Sequence, residues 1–120
     1  MTEQSNSITP SGYDVESIVS SWERAVREVE VGYSTGIDEY IFDLSATRDC
    51  LERCLNELDD AENARLRRLV EQIDARFKAA TIDDTRGFLS LFFKIGAGWW
   101  WHRIPASGSL RTYLDEAAGD

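Results

Sequence analysis

The sequence predicts an all-α protein: a compact bundle of four to five helices in which helices two and three form an antiparallel hairpin. Three observations carry that expectation. Apolar residues recur at helical spacing through most of residues 15–80. Aspartates stand at 14, 38 and 59, where helices need N-terminal caps. The joint between the second and third periodic stretches is very short, which favours antiparallel neighbours. With 120 residues, 42% of them hydrophobic and 29% charged, the chain suits one globular domain with a core of its own.

Residues 1–12 carry Ser, Thr and Asn together with Pro10 and Gly12. They are expected to form a flexible N-terminal arm, leaving 13–120 as a single helical domain. Asp14 or Ser11 can cap the first helix. Its inner stripe reads Val15, Ile18, Val19, Trp22, Val26 and Val29, and Gly32 is placed to end it.

Asp38 is the expected cap of the second helix, with Ile37 and Phe42 as a hydrophobic staple around it. Its stripe is Ile41, Leu44, Arg48, Leu51, Leu55 and Leu58, at alternating spacings of 3 and 4. Arg48 is the odd member. A core-facing Arg needs a carboxylate or carbonyl, so it is expected either to pair with an acid on a neighbouring helix or to mark an anion site. Asp59 and Glu62 have capping-box spacing for the third helix, which carries Leu66, Leu69, Val70, Ile73, Phe77 and Ala80.

Beyond Thr81 the periodicity weakens. Asp83 or Asp84 could cap a fourth helix through Phe88, Leu89, Phe92, Phe93 and Ile95, although Gly87 costs it roughly 1 kcal/mol. Gly96 and Gly98 end it. Residues 99–104 read equally as an extended strap or a helical turn. Pro105 and Gly108 form a turn, and Leu110, Tyr113 and Leu114 suggest a short last helix.

Net charge is −9 and uneven. Residues 1–60 hold fourteen carboxylates against four cations, whereas residues 61–120 hold eight against nine. An acidic half repels nucleic acid and steers basic partners. The polar start has no apolar signal core, and no apolar run is long enough for a bilayer, so the chain is expected in the cytoplasm, off the membrane. Cys50 and Cys54 stand one helical turn apart, a spacing that suits a disulfide poorly. They read as small residues at the edge of the core, since zinc would need two more ligands and His102 is the only His.

Trp99, Trp100, Trp101 and His102 are consecutive. Three adjacent Trp cannot all enter one stripe, so at least one is expected at an edge. The run could close the open end of the bundle, with Arg103 stacked on an aromatic face, or it could anchor a partner. No nucleophile–base–orienter set, H-E-x-x-H, phosphate loop or nucleophile elbow accompanies it.

One carboxylate constellation has the spacing of a metal site. Asp49 and Glu52 stand three apart on helix two, and Glu71 and Asp74 three apart on helix three, so each pair shares a face. This resembles the metal-binding signature of the all-α nucleotide pyrophosphohydrolases of the MazG type, in which paired acidic motifs on two helices hold Mg²⁺ for cleavage of nucleoside triphosphates. The resemblance spans only residues 49–74. Asp49 stands where that family usually has Glu, and Arg48 replaces a further Glu.

The primary expectation is a non-enzymatic protein with no cofactor that binds a basic protein partner. Asp38, Glu39 and Asp43 on the acidic helical face, with Trp99, Trp100, Trp101 and Arg103, would carry the contact. Immunity proteins and antitoxins that block basic nucleases are the analogy in size and charge. The alternative, implied by the resemblance, is a Mg²⁺-dependent hydrolase using Asp49, Glu52, Glu71 and Asp74. A homodimer through the Trp run is a third possibility.

Overall fold

The computed structural model describes residues 8–118. In chain order it contains α1 (Val15–Glu30), α2 (Ile37–Phe42), a π-helical segment (Asp43–Asp49), α3 (Cys50–Asn56) and α4 (Asp60–Ala79). There follow β1 (Thr81–Asp83), α5 (Phe88–Phe92), a 3₁₀ turn (Trp99–His102), β2 (Arg103–Pro105) and α6 (Ser109–Ala118). The protein is mostly helical, broadly as the all-α expectation has it, with a small two-stranded ribbon added.

Of the expected N-terminal arm, residues 1–7 lie outside the described residues. Residues 8–12 make a turn closed by a bridge between Ile8 and Asp14, and Thr9 is buried within it. The inner stripe of α1 is Val15, Val19, Trp22, Ala25, Val26 and Val29. Gly32 takes φ +97° just past its end, a conformation that Gly adopts without a Cβ penalty.

Helix two is one rod in three parts, since the backbone stays helical through Asp43 and Asp49. It starts two residues earlier than expected: Gly36, not Asp38, is its cap, and Glu39 Oε1 accepts from the Gly36 N–H at 3.1 Å. The staple does not form, because Phe42 points outward and is 63% exposed. The π segment turns Thr47 and Arg48 inward together and leaves Asp49 half-buried. In an α-helix successive residues diverge by about 100°. The wider π turn narrows that angle, so neighbours can share a wall.

The chain reverses over residues 57–59. Asp59 caps α4 by accepting from the Glu62 N–H at 2.9 Å, as the spacing predicts. Helices α3 and α4 run antiparallel, as the successive bonds Asn63 to the Leu55 carbonyl, Arg67 to Glu52 and Asp74 to Arg48 show. Helix α1 lies parallel to α4, tied by Arg65 to Glu16, Trp22 to Asp74 and Arg76 to Glu30. The core is Trp22, Tyr40, Leu44, Leu51, Leu55, Leu66, Val70 and Phe77, between these three bodies.

The expected fourth helix shortens to α5. Asp84 caps it, accepting from the Phe88 and Leu89 N–H groups at 2.8 and 3.0 Å. The ribbon pairs Thr81 with Pro105, Ile82 with Ile104 and Asp83 with Arg103, antiparallel. Each strand carries a β-branched residue or two (Thr81 and Ile82, Ile104), and Pro105 sits at a strand end, where a missing N–H costs least. Helix α6 then docks on the α1–α2 turn, with the Leu110 N–H on the Tyr33 carbonyl at 3.2 Å. Gly108, at φ +98°, lies so close to Tyr33 that a Cβ there would overlap its backbone.

Candidate functional site

The π segment faces two concave regions. The first is a cleft of about 670 Å³ between α3, α4 and the turn that precedes the Trp run, lined among others by Arg48, Asp49, Glu52, Glu71, Asp74 and Trp99. At its floor Arg48 is 2% exposed. Its Nε and Nη2 donate to the two oxygens of Asp74 at 3.1 and 2.8 Å, and its Nη1 donates to Glu52 at 3.0 Å. The guanidinium also lies 4.0 Å from the ring centroid of Trp100. A buried Arg thus has a bidentate carboxylate, a second acid and an aromatic face, which together offset its desolvation.

The neighbouring carboxylates are also engaged. Trp22 Nε1 donates to Asp74 at 2.9 Å. Arg67 Nη1 donates to both oxygens of Glu52 at 3.0 Å. Burial pushes the Glu52 carboxyl up, but Arg48 and Arg67 outweigh it and hold the group below its ordinary value. Asp49 accepts from Trp100 Nε1 at 2.8 Å and from Trp101 Nε1 at 3.0 Å.

The four acids of the expected metal site therefore do line one cleft, as helical spacing predicts. Three of them receive N–H donors from Arg and Trp, and Glu71 stands exposed at the mouth. A divalent cation would have to displace guanidinium and indole groups already in place. Among the described residues no group of three or more His, Cys, Asp or Glu is gathered so as to hold a metal ion. The residues present do not fit Mg²⁺.

The Trp run also differs from a free binding surface. Trp100 and Trp101 are 5% and 3% exposed, and Trp99 is half-buried. The 3₁₀ turn followed by β2 combines both expected forms of the segment. Trp99 packs against Phe77 and edge-on to Trp100, with Lys78 Nζ 4.5 Å from its ring centroid. The expected stacking of Arg103 is corrected, because Arg48 and Lys78 take the aromatic faces. Arg103 instead binds the ribbon, donating to Thr81 Oγ1 at 2.7 Å and Asp83 at 2.8 Å. His102 is exposed. Sequence reasoning missed the indole acceptors, for which no spacing rule exists.

The second region surrounds the start of the helix-two rod. A groove of about 470 Å³ is lined by Glu28, Tyr33, Thr35, Asp38, Glu39, Phe42 and Asp43. An adjoining one of about 460 Å³ shares Thr35, Asp38 and Glu39 and ends at Leu110 and Tyr113. Glu28, Asp38 and Glu39 are exposed, and Tyr113 is 50% exposed. Tyr33 Oη donates to Asp43 at 3.0 Å. Burial, together with the charges of Glu28 and Glu39, pushes the Asp43 carboxyl up to about 6, against the pull of the Tyr33 hydrogen bond. Burial likewise raises the Tyr33 phenol.

Elsewhere arginines neutralise the helical acids. Arg76 binds Glu23 and Glu30, and Arg65 binds Glu16 and Glu62. Among the described residues no Lys or Arg forms an ion pair with Glu28, Asp38, Glu39 or Asp43. Glu28 and Phe42 join the site only in three dimensions.

No protein-family model, curated protein or solved structure matches the chain. Among the described residues no helix is long and apolar enough to cross a membrane.

Proposed function

We propose that this chain is a non-catalytic binding protein that holds a basic protein partner on the face formed by Glu28, Asp38, Glu39, Phe42 and Asp43. One observation supports the reading above the others: four carboxylates surround an outward-facing Phe42, and among the described residues no Lys or Arg is paired to them. A Lys or Arg of a partner would supply the missing charge, and its aliphatic stem would cover the Phe42 ring. Inhibitors of basic nuclease toxins work by such complementarity, and that mode of action, in the cytoplasm, is the one proposed here. The contact differs from the sequence expectation in its aromatic anchor and in the addition of Glu28. Trp100, Trp101 and Arg103 are committed to the fold, so the aromatic anchor is Phe42, with Tyr113 at the far edge.

The test is capture of partners from host lysate by three baits: the wild-type chain, a D38K/E39K/D43K variant, and an F42A variant. A stoichiometric basic protein should be held by the wild type at low salt. It should be released near 1 M salt, where the Debye length is about 3 Å. It should also be lost from the charge-reversed bait and weakened on F42A. A partner held equally by the charge-reversed bait, or at high salt, overturns the proposal.

A further inference from the structure

Cys50 begins α3, Cys54 stands one turn further along it, and both thiols are free. Their Sγ atoms are 3.8 Å apart, with Cys50 half-buried and Cys54 buried beneath it. We propose that this pair is a binding site for one soft, thiophilic monovalent cation of the Cu(I) class, held between the two sulfurs. This inference is independent of the acidic face.

Residues four apart on a helix share a face, so the backbone holds the two thiols together without any further support. The same backbone resists a disulfide, which needs sulfurs about 2.05 Å apart and Cβ atoms at about 3.8 Å. The pair therefore persists as a dithiol, with one sulfur reachable from solvent. Ligand chemistry then selects the cation. Thiolates are soft donors and favour Cu(I), whereas zinc requires about four ligands in tetrahedral array. Among the described residues no third His, Cys, Asp or Glu completes such a set. A cation that accepts two donors in line needs no more than a small rotation of each thiol. Both thiols release their protons on binding, and the complex carries one net negative charge, which Arg53 favours and Glu57 opposes.

The experiment uses the full reduced chain under anaerobic conditions, titrated into the coloured Cu(I)–bicinchoninate complex. Withdrawal of one equivalent of Cu(I) per chain is expected. C50S and C54S should each weaken withdrawal by roughly tenfold or more, and the C50S/C54S double variant should abolish it. Circular dichroism checks that each variant is folded. Should C54S fail to fold, C50S at the half-buried position, together with wild type blocked by N-ethylmaleimide, carries the test. No withdrawal by the reduced wild type overturns the proposal. So does undiminished withdrawal by C50S, or uptake of half an equivalent, which would mean one cation shared between two chains.

Discussion

The carboxylate of Asp74 on α4 grips the guanidinium of Arg48 on the π segment through two near-parallel bonds of 3.1 and 2.8 Å, and it also accepts Trp22 Nε1 from α1. One buried side chain thereby joins all three long helical bodies. Its partner Arg48 extends the link to Trp100, so the C-terminal strap is tied to the same point.

Removing one partner should be much worse than removing both. Asp74→Ala leaves a buried guanidinium and an indole N–H without their acceptor, and a loss of about 3–5 kcal/mol is expected. R48M/D74L replaces the pair by apolar groups of similar size and should recover the share of that loss due to the guanidinium, leaving only the Trp22 N–H without its acceptor. Urea unfolding followed by Trp emission measures both. A double variant no more stable than D74A would show that the pair contributes more than its own charge balance.

The strap should be sensitive at a residue with no side chain. A Cβ at Gly98 would overlap the ring of Trp100, and the rigid indole, packed under Arg48, has little room to retreat. Gly98→Ala is expected to destabilise by about 1–3 kcal/mol through overpacking. Asp49→Ala, which removes the acceptor of two indole N–H groups, should cost a similar amount. Near-ultraviolet circular dichroism should report the Trp environment, and unchanged spectra in both variants would contradict the packing described.

Asp43 should make stability fall as pH rises. Its carboxyl titrates near 6 in the folded chain against 3.8 for the ordinary group, so the fold favours the protonated form. That contribution is complete at acid pH and is lost as pH climbs through about 6. Asp43→Asn keeps an acceptor for Tyr33 Oη without the charge. Relative to wild type, D43N should therefore gain up to about 1 kcal/mol between about pH 4.5 and about pH 8, the partial exposure of Asp43 screening the rest. Thermal melts of the two proteins across that range test this, because other groups cancel in the difference. A constant difference would refute it. A bound cation reverses the preference, so partner affinity should rise over the same window.

Magnesium should produce no binding heat. Calorimetric titration of Mg²⁺ or Mn²⁺ into the protein is expected to be flat, because Arg48, Arg67 and two indoles already occupy Asp74, Glu52 and Asp49. A saturable isotherm abolished by E71Q and D49N would restore the hydrolase reading.

Local patterns alone determined the helical elements. Periodic Val15, Val19, Trp22 and Val26 mark α1, and Asp59 with Glu62 marks the start of α4, because capping and amphipathicity depend on residues within one or two turns. The same logic placed Asp49, Glu52, Glu71 and Asp74 on facing helices. Tertiary contacts decided what no local pattern encodes. The Thr81–Asp83 ribbon exists because a strand some twenty residues away pairs with it. The π turn seats Arg48 against Asp74 on another helix, and Asp49 becomes an acceptor for indoles about fifty residues distant. Hydrogen bonds and ion pairs between distant segments form only after the helices pack, so the roles of these acids, and the exposure of Phe42, were settled by the assembled core.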